Sequence, residues 1–312
     1  MHLPDDHRLE RPTLADVPGI LALVHASEIA AVGFADLSES EVVEALTAPG
    51  FDPARDAWLV RDAHDQLVGW GYLDEPTAEP FCEAYAHPAA SPTIQATLIS
   101  LLCDRIAQRA ADSGQSEVVA RAGAIPAETG YIQVLADAGF EFERQHARMS
   151  RPLTGSEQRP APVPGYDLRT LRPNESHACH EAMRAAFVGS TSSSPPVDFG
   201  EFVAMPGIYW PDSLVVAEDG ELVGAALLSS QAEDKNEGWV KWLGVRPGHR
   251  RRGLAEALLR TAFAYCAEQG RTAIGLGVDT TNPTGAYHLY ESLGMTPSYR
   301  ANIYQRIVRS AS

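Results

Sequence analysis

The sequence predicts an α/β (α+β) protein built as two tandem domains that share one order of strands and helices. Three observations lead there. The chain has 312 residues, about twice a typical domain of roughly 150. Landmarks recur at a fixed distance: Val68-Gly69 returns as Val223-Gly224 and Gly139-Phe140 as Gly294-Met295, and both differences, 224 − 69 and 294 − 139, equal 155. Equal offsets across such widely separated landmarks mark a duplicated unit. Between the copies, a proline-rich stretch ending at Pro160-Ala161-Pro162-Val163-Pro164 reads as a stiff, extended linker. The expected division is therefore 1–152, a linker over 153–164, and 165–312.

Each element has a local reason. Arg8–Pro12 is an edge strand, ended by its proline. Thr13 caps a helix that carries Ile20, Leu21 and Val24, and a second, short helix covers Glu39–Leu46. Ala57–Arg61 and Gln66–Tyr72 are rich in β-branched and aromatic residues and flank a His64-Asp65 turn, which makes a hairpin. Phe81–Ala86 is a strand stopped by His87-Pro88, and a long helix then runs from Pro92 through Ala110 to Gly114. Strand Glu117–Arg121, helix Ala127–Ala138 and strand Phe140–Arg148 complete the copy, with Gly139 closing the helix. The second copy repeats the order: strand Tyr166–Arg169, helix Glu175–Phe187, a hairpin of Leu214–Ala217 and Leu222–Leu228 around Glu218-Asp219-Gly220, strand Trp239–Val245, a helix from Leu254, strand Thr272–Val278, helix Pro283–Leu293 and strand Pro297–Ile307. Serine-rich Gly189–Pro196 and aromatic Met205–Pro211 flank a short helical segment in this copy; the mix suits a lid or acceptor wall, and equally a surface loop against the first domain.

Composition narrows the function. Hydrophobic residues are 45% and charged residues 21% of the chain, a globular balance, and no run approaches the roughly 18 apolar residues of a membrane span. A formal net charge of −16 lacks the basic face a nucleic acid or an anionic membrane requires. Cys82, Cys103, Cys179 and Cys266 are scattered, without metal-site spacing, and no basic-then-apolar leader opens the chain. Reduced, buried thiols in the cytoplasm are expected, with no metal.

One stretch carries the chemistry. After the strand ending in Val245-Arg246, Pro247-Gly248 turns the chain, Arg250, Arg251, Arg252 and Gly253 follow, and a helix opens with Leu254 and Ala255. The first amides of a helix have no internal partner and the dipole there is positive, so such an end receives anions. Gly253 lacks the Cβ that would hold a phosphate away, Ala255 keeps the next turn small, and the arginines add charge; a pyrophosphate suits the place. Strand, Arg250-x-x-Gly253-x-Ala255 and helix in this order resemble the acetyl-CoA pyrophosphate loop of the GNAT superfamily of N-acetyltransferases. The corresponding residues of the first copy, Ala89–Gln95 after Pro88, contain neither arginine nor glycine, so that copy reads as a degenerate domain that keeps the fold.

A second stretch resembles the last signature of the same superfamily: Asn282 after a strand, then a helix bearing Ala286-x-x-x-Tyr290 and ending at Gly294-Met295. The resemblance implies two GNAT-like domains, each a mixed, mostly antiparallel sheet flanked by helices. It implies that the strand before the loop is splayed from its neighbour, with the amides of Leu243 and Val245 free for the pantetheine arm and the thioester carbonyl, and that Asn282 touches the pantetheine. Tyr290 is then the general acid, since a phenol of ordinary pKa about 10 stays protonated at neutral pH and can protonate a departing thiolate. Many members carry a glutamate on the central strand as base; aligned on Arg250, that place holds Trp239, and Glu237, two residues earlier on the same face, is the candidate base.

These readings predict direct acetyl transfer from acetyl-CoA to a primary amine of a small molecule in a ternary complex, by a monomer or homodimer. The tandem layout also resembles that of mycothiol synthases, which acetylate a cysteinyl amine, and of other tandem GNAT proteins. A protein acetyltransferase and a non-catalytic acyl-CoA sensor are the alternatives, and a sensor would have no use for Tyr290.

Overall fold

The structure, a computed structural model, describes residues 3, 4, 6–48, 50–74, 80–188, 195, 198–281 and 285–311. It divides into two compact units, Met1–Gln145 with Arg300–Ser312, and His146–Tyr299.

In the first unit, β1 (Arg8–Glu10), β2 (Ala57–Arg61), β3 (Leu67–Asp74), β4 (Phe81–Ala86) and β5 (Glu117–Ala124) lie side by side in that order. Their pairings are antiparallel except β4 with β5, which are parallel. Helices α1 (Val17–Val32), α2 (Glu39–Thr47) and the single turn α3 (Pro53–Asp56) come before β2; α4 (Thr93–Asp112) and α5 (Thr129–Asp137) flank β5 in sequence. Thr13 accepts from Ala15 N and Ser38 from Glu41 N, each within a reciprocal capping box. One face of the sheet packs Val17, Ile20, Val42 and Trp70 together, and the other packs Leu98, Leu102, Ala122 and Leu135. The helical stretch Leu14–Val32 is long and apolar enough, by length and composition, to cross a membrane, although no unbroken apolar run in the sequence is that long. Its Val17, Ile20, Leu23 and Val24 are instead buried in this core.

The second unit repeats the plan with β7 (Asp167–Thr170), α6 (Ser176–Phe187), α7 (Phe199–Ala204), β8 (Leu214–Glu218), β9 (Glu221–Ser229), β10 (Glu237–Val245), α8 (Leu254–Glu268), β11 (Ala273–Asp279) and α9 (Ala286–Ser292). Here too all pairings are antiparallel except one, β10 with β11. Leu258, Leu259, Ala262 and Phe263 of α8 are buried against Val223, Val240, Ile274 and Leu276; each leucine and the phenylalanine contributes about 1.5–3 kcal/mol. The opposite face buries Cys179, Met183, Phe202, Leu227 and Trp242.

The boundary falls differently from the expected one, because the last strands are exchanged. Of β6 (Glu141–Pro152), residues 146–152 belong to the second unit and pair antiparallel with β11, from Asp279↔His146 to Ala273↔Pro152. Of β12 (Thr296–Arg309), residues 302–309 belong to the first unit and pair with β5, from Asn302↔Ala124 to Arg309↔Glu117. The 153–164 segment lies inside the second unit, where Leu153 N donates to Thr272 O. Closing strands of two similar copies fill similar slots, so either can close either sheet.

In the first unit, Glu83 of β4 faces Tyr72 across the ladder, and Tyr85 follows two residues on along the same strand. Burial, aided by nearby Asp74, pushes its carboxyl from the ordinary 4.5 up to about 8. Between those values the folded chain holds a proton that the unfolded chain has lost, so stability falls as pH rises from about 4.5 to about 8. Glu83→Gln is expected to melt higher than wild type at about pH 8.5 and to lose that advantage near pH 4.5. Melting curves that differ equally at both pH values would remove Glu83 as the source.

Candidate active site

The site forms where β10 leaves β11. β10 stays paired with β9 as far as Val245↔Gly224, with a bulge that shifts the register at Lys241, whereas its pairing with β11 ends at Val240↔Leu276. Arg246 N donates to Val223 O on β9. Backbone groups alternate sides along a strand, so the amides of Gly244 and Trp242 also face β9, while those of Val245 and Leu243 face the side that β11 has left. A cleft with unshared donors opens there. Behind it, a Cβ on Gly244 would lie 2.9 Å from the Ala186 Cβ, so α6 packs its last turn directly on this strand.

The chain then turns through Pro247–His249 into α8. Arg251 has φ +62° and Gly253 φ +79°, with Arg252 between them on the negative side, an alternation that turns successive amides toward one point. No side chain caps α8. Its first internal bond runs from Ala257 N to Gly253 O, 2.9 Å, which leaves the amides of Leu254, Ala255 and Glu256 without helical partners. A Cβ on Gly253 would meet nothing within 4 Å; glycine is required by the left-handed backbone, and the space in front of the amides is open. A pyrophosphate fits this cradle.

The three arginines have separate tasks. Arg250 donates from Nε to Val245 O at 3.1 Å and from Nη2 to Ala186 O at 2.8 Å, tying the end of β10 to the end of α6. Arg252 donates to the Tyr166 hydroxyl at 2.6 Å and to Gly248 O, and lies 3.5 Å from Glu218. Arg251 is exposed and, among the described residues, has no side-chain partner. The expectation of three cations facing one anion is thus corrected to one uncommitted guanidinium, because carbonyls at the ends of β10 and α6 take up Arg250, and Tyr166, Glu218 and the Gly248 carbonyl take up Arg252.

Tyr290 of α9 is buried in the same core cluster as Val245 at the end of β10, Leu254 and Leu258 of α8, and Val278 of β11. Burial alone pushes its pKa up to about 12, and among the described residues its hydroxyl has no hydrogen-bond partner. It keeps its proton throughout the neutral range and is free to donate it. The position 155 earlier is Leu135, fully buried in the first unit, so that copy has no phenol there. Asn282 lies outside the described residues, as do 189–194, 196 and 197 of the serine-rich segment. Pro195 is buried. Met205–Pro211 is held against β9, through Tyr209 N to Leu228 O and Ser230 N to Gly207 O, both 2.9 Å, and Trp210 packs edge-on to Phe202.

Glu237 is a correction. Its carboxylate accepts from Arg148 Nη2 and Ser150 Oγ, each at 2.6 Å. It sits three residues before Val240, on the stretch where β10 and β11 are still paired, about 20 Å along the strand from Leu243. An engaged carboxylate behind the closed part of the sheet holds Arg148 and does not serve as a base. Arg148 in turn lies 4.9 Å over the Trp239 ring, which occupies the room Gly275 leaves. Sequence reading missed both partners, since they come from β6. It also missed Asp279, buried at the end of β11, whose Oδ1 accepts from Thr281 N at 2.8 Å and Thr281 Oγ1 at 2.6 Å. An Asp-x-Thr pattern after a strand was the available signal.

Comparison with known proteins agrees with this layout. Residues 177–295 match the acetyltransferase (GNAT) family model. A mycothiol acetyltransferase of Thermobispora bispora is 31% identical over 296 residues, covering 92% of this chain and 94% of that protein; one of Streptomyces avermitilis is 30% identical over 243 residues, covering 76% and 75%. Among solved structures, a GCN5-related N-acetyltransferase from Sphaerobacter thermophilus superposes with a TM-score of 0.87 at 24% identity, covering 100% of this chain and 98% of its own. A tandem GNAT protein from the clavulanic acid biosynthesis pathway gives 0.70 at 17%, covering 98% and 100%.

The division of labour among the arginines is testable. Arg250→Ala is expected to lower the melting temperature, since it strands two carbonyls at about 1 kcal/mol or more. Arg251→Ala is expected to leave melting unchanged and to weaken acetyl-CoA binding about tenfold in calorimetry, one charge-assisted contact's worth. The reverse pattern would reassign the two residues.

Proposed function

The chain belongs to the GNAT family of acetyltransferases, in its tandem two-domain form, and is an N-acetyltransferase; we propose that it moves the acetyl group of acetyl-CoA onto the primary amine of a small molecule, with both substrates bound at once. The observation that carries this reading is the convergence of three features on one core cluster: the parted strand, the uncapped start of α8 and the buried Tyr290.

In this reading the amides of Leu254, Ala255 and Glu256 and the Arg251 guanidinium hold the pyrophosphate, and the amides of Leu243 and Val245 receive the pantetheine arm and the thioester carbonyl oxygen. Acetyl-CoA supplies an activated acyl group on a sulfur leaving group. Donors fixed in the backbone stabilise charge on the carbonyl oxygen without reorganising. The acceptor arrives as a free amine, its nitrogen bonds to the carbonyl carbon, the carbon–sulfur bond breaks, nitrogen releases a proton to solvent, and the Tyr290 hydroxyl protonates the leaving thiolate and regains a proton from solvent. Holding both reactants together supplies much of the rate. The relatives named mycothiol acetyltransferase favour a cysteinyl amine as acceptor over a protein side chain, and four buried, unpaired cysteines suit work in the reducing cytoplasm.

Acetylated product, counted by mass so that a thiol-bearing acceptor does not interfere, is the test. With a panel of small amines that includes cysteinyl amines, wild type is expected to turn over at least one. Tyr290→Phe should lower kcat by roughly 10²–10⁴ with little change in KM. Gly253→Asp, which sets a carboxylate and a strained left-handed residue at the anion cradle, should raise the KM for acetyl-CoA. Full kcat in Tyr290→Phe would remove the phenol from the chemistry, and unchanged acetyl-CoA affinity in Gly253→Asp would move the cofactor site elsewhere.

A further inference from the structure

The mechanism leaves the first unit without a chemical task, yet that unit contains a thiol pair unlike the chain's other cysteines. Cys82 on β4 and Cys103 on α4 belong to one core cluster, near enough for each thiol to influence the other's ionisation. On its other side, Cys103 Sγ lies 3.8 Å from Nη1 of Arg306, which reaches it from β12. Cys103 also lines a cavity of about 480 Å³, together with Asp104, Ala107, Glu117, Arg306 and Val308, whereas Cys82 is fully buried behind it.

A sulfur that accepts a hydrogen bond and faces a guanidinium is favoured as thiolate, and thiolate is the nucleophilic form. The neighbouring Cys82 thiol and the Arg306 charge draw Cys103 below the ordinary thiol range, against the opposing effects of burial and Asp104. Burial pushes Cys179 and Cys266 up to about 12. Attack, access and a neighbouring thiol in the same core cluster are therefore brought together at Cys103, and among the described residues at no other cysteine.

We propose that Cys103 is an oxidation site for small hydroperoxides that enter the cavity beside Arg306, and that Cys82 is its resolving thiol. The Cys103 thiolate attacks the terminal peroxide oxygen; the O–O bond breaks, sulfur gives up two electrons and becomes a sulfenic acid, and the alkoxide or hydroxide leaves with a proton from solvent. The Cys82 sulfur then attacks the sulfenyl sulfur, the S–S bond forms, the S–O bond breaks, and hydroxide leaves with the Cys82 proton as water. Two equivalents of a thiol reductant reverse the cross-link, which pins α4 to β4.

The test is peptide mapping of the reduced full-length protein after exposure to hydrogen peroxide, with the remaining thiols alkylated and no reductant added. The expected result is a Cys82–Cys103 linked pair, with Cys179 and Cys266 still alkylated, and cross-linking about tenfold slower in Arg306→Gln. Cys82→Ser is expected to leave a sulfenic acid on Cys103 that a 1,3-dicarbonyl probe captures. All four cysteines reacting alike, or Cys103 recovered as thiol while Cys179 or Cys266 is oxidised, would overturn the proposal. The wild-type map decides it even if Cys82→Ser does not fold.

Discussion

The separation of β10 from β11 beyond Val240 and Leu276 is the constraint on which the second unit's chemistry depends. A parallel pair that stayed closed would consume the amides of Leu243 and Val245 in its ladder and leave nothing to meet a substrate. The bulge at Lys241 shifts the register with β9 by one residue without ending that pairing, so the cleft opens on one side only. Much of the surrounding structure serves to keep that arrangement: Gly244 lets α6 approach, Arg250 locks the two free ends together, and α8 packs a continuous apolar row beneath.

Electrostatics within the site follows from which groups are already satisfied. A guanidinium that finds two carbonyls is part of the scaffold, as Arg250 is; one that finds a phenol and a carboxylate braces a loop, as Arg252 does. Only the one without partners can respond to an incoming anion. The same logic demotes Glu237, whose negative charge is met by Arg148 and Ser150, whereas burial keeps Tyr290 protonated through the neutral range.

Duplication allowed the halves to diverge. The first unit retains the parallel β4–β5 pair and both packed faces, yet it replaces the phenol with Leu135 and the cationic loop with Ala89–Gln95. In place of that site it has developed features of its own, a carboxyl kept neutral at Glu83 and the thiol pair at Cys82 and Cys103.

Much was legible from the chain alone, because the relevant physics is local. Turn-forming Pro247-Gly248, the glycine that a left-handed backbone demands at 253, the apolar period of α8 and the constant offset of 155 are properties of neighbouring residues, and they located the strands, the helices and the cradle. Tertiary structure decided what depends on distant partners. Whether Arg250 or Arg251 is free rests on where Ala186 lies; whether Glu237 can act rests on Arg148, 89 residues away in sequence. Which strand closes which unit was beyond local pattern, since two copies of one fold present equivalent open edges and only the assembled sheets select between them.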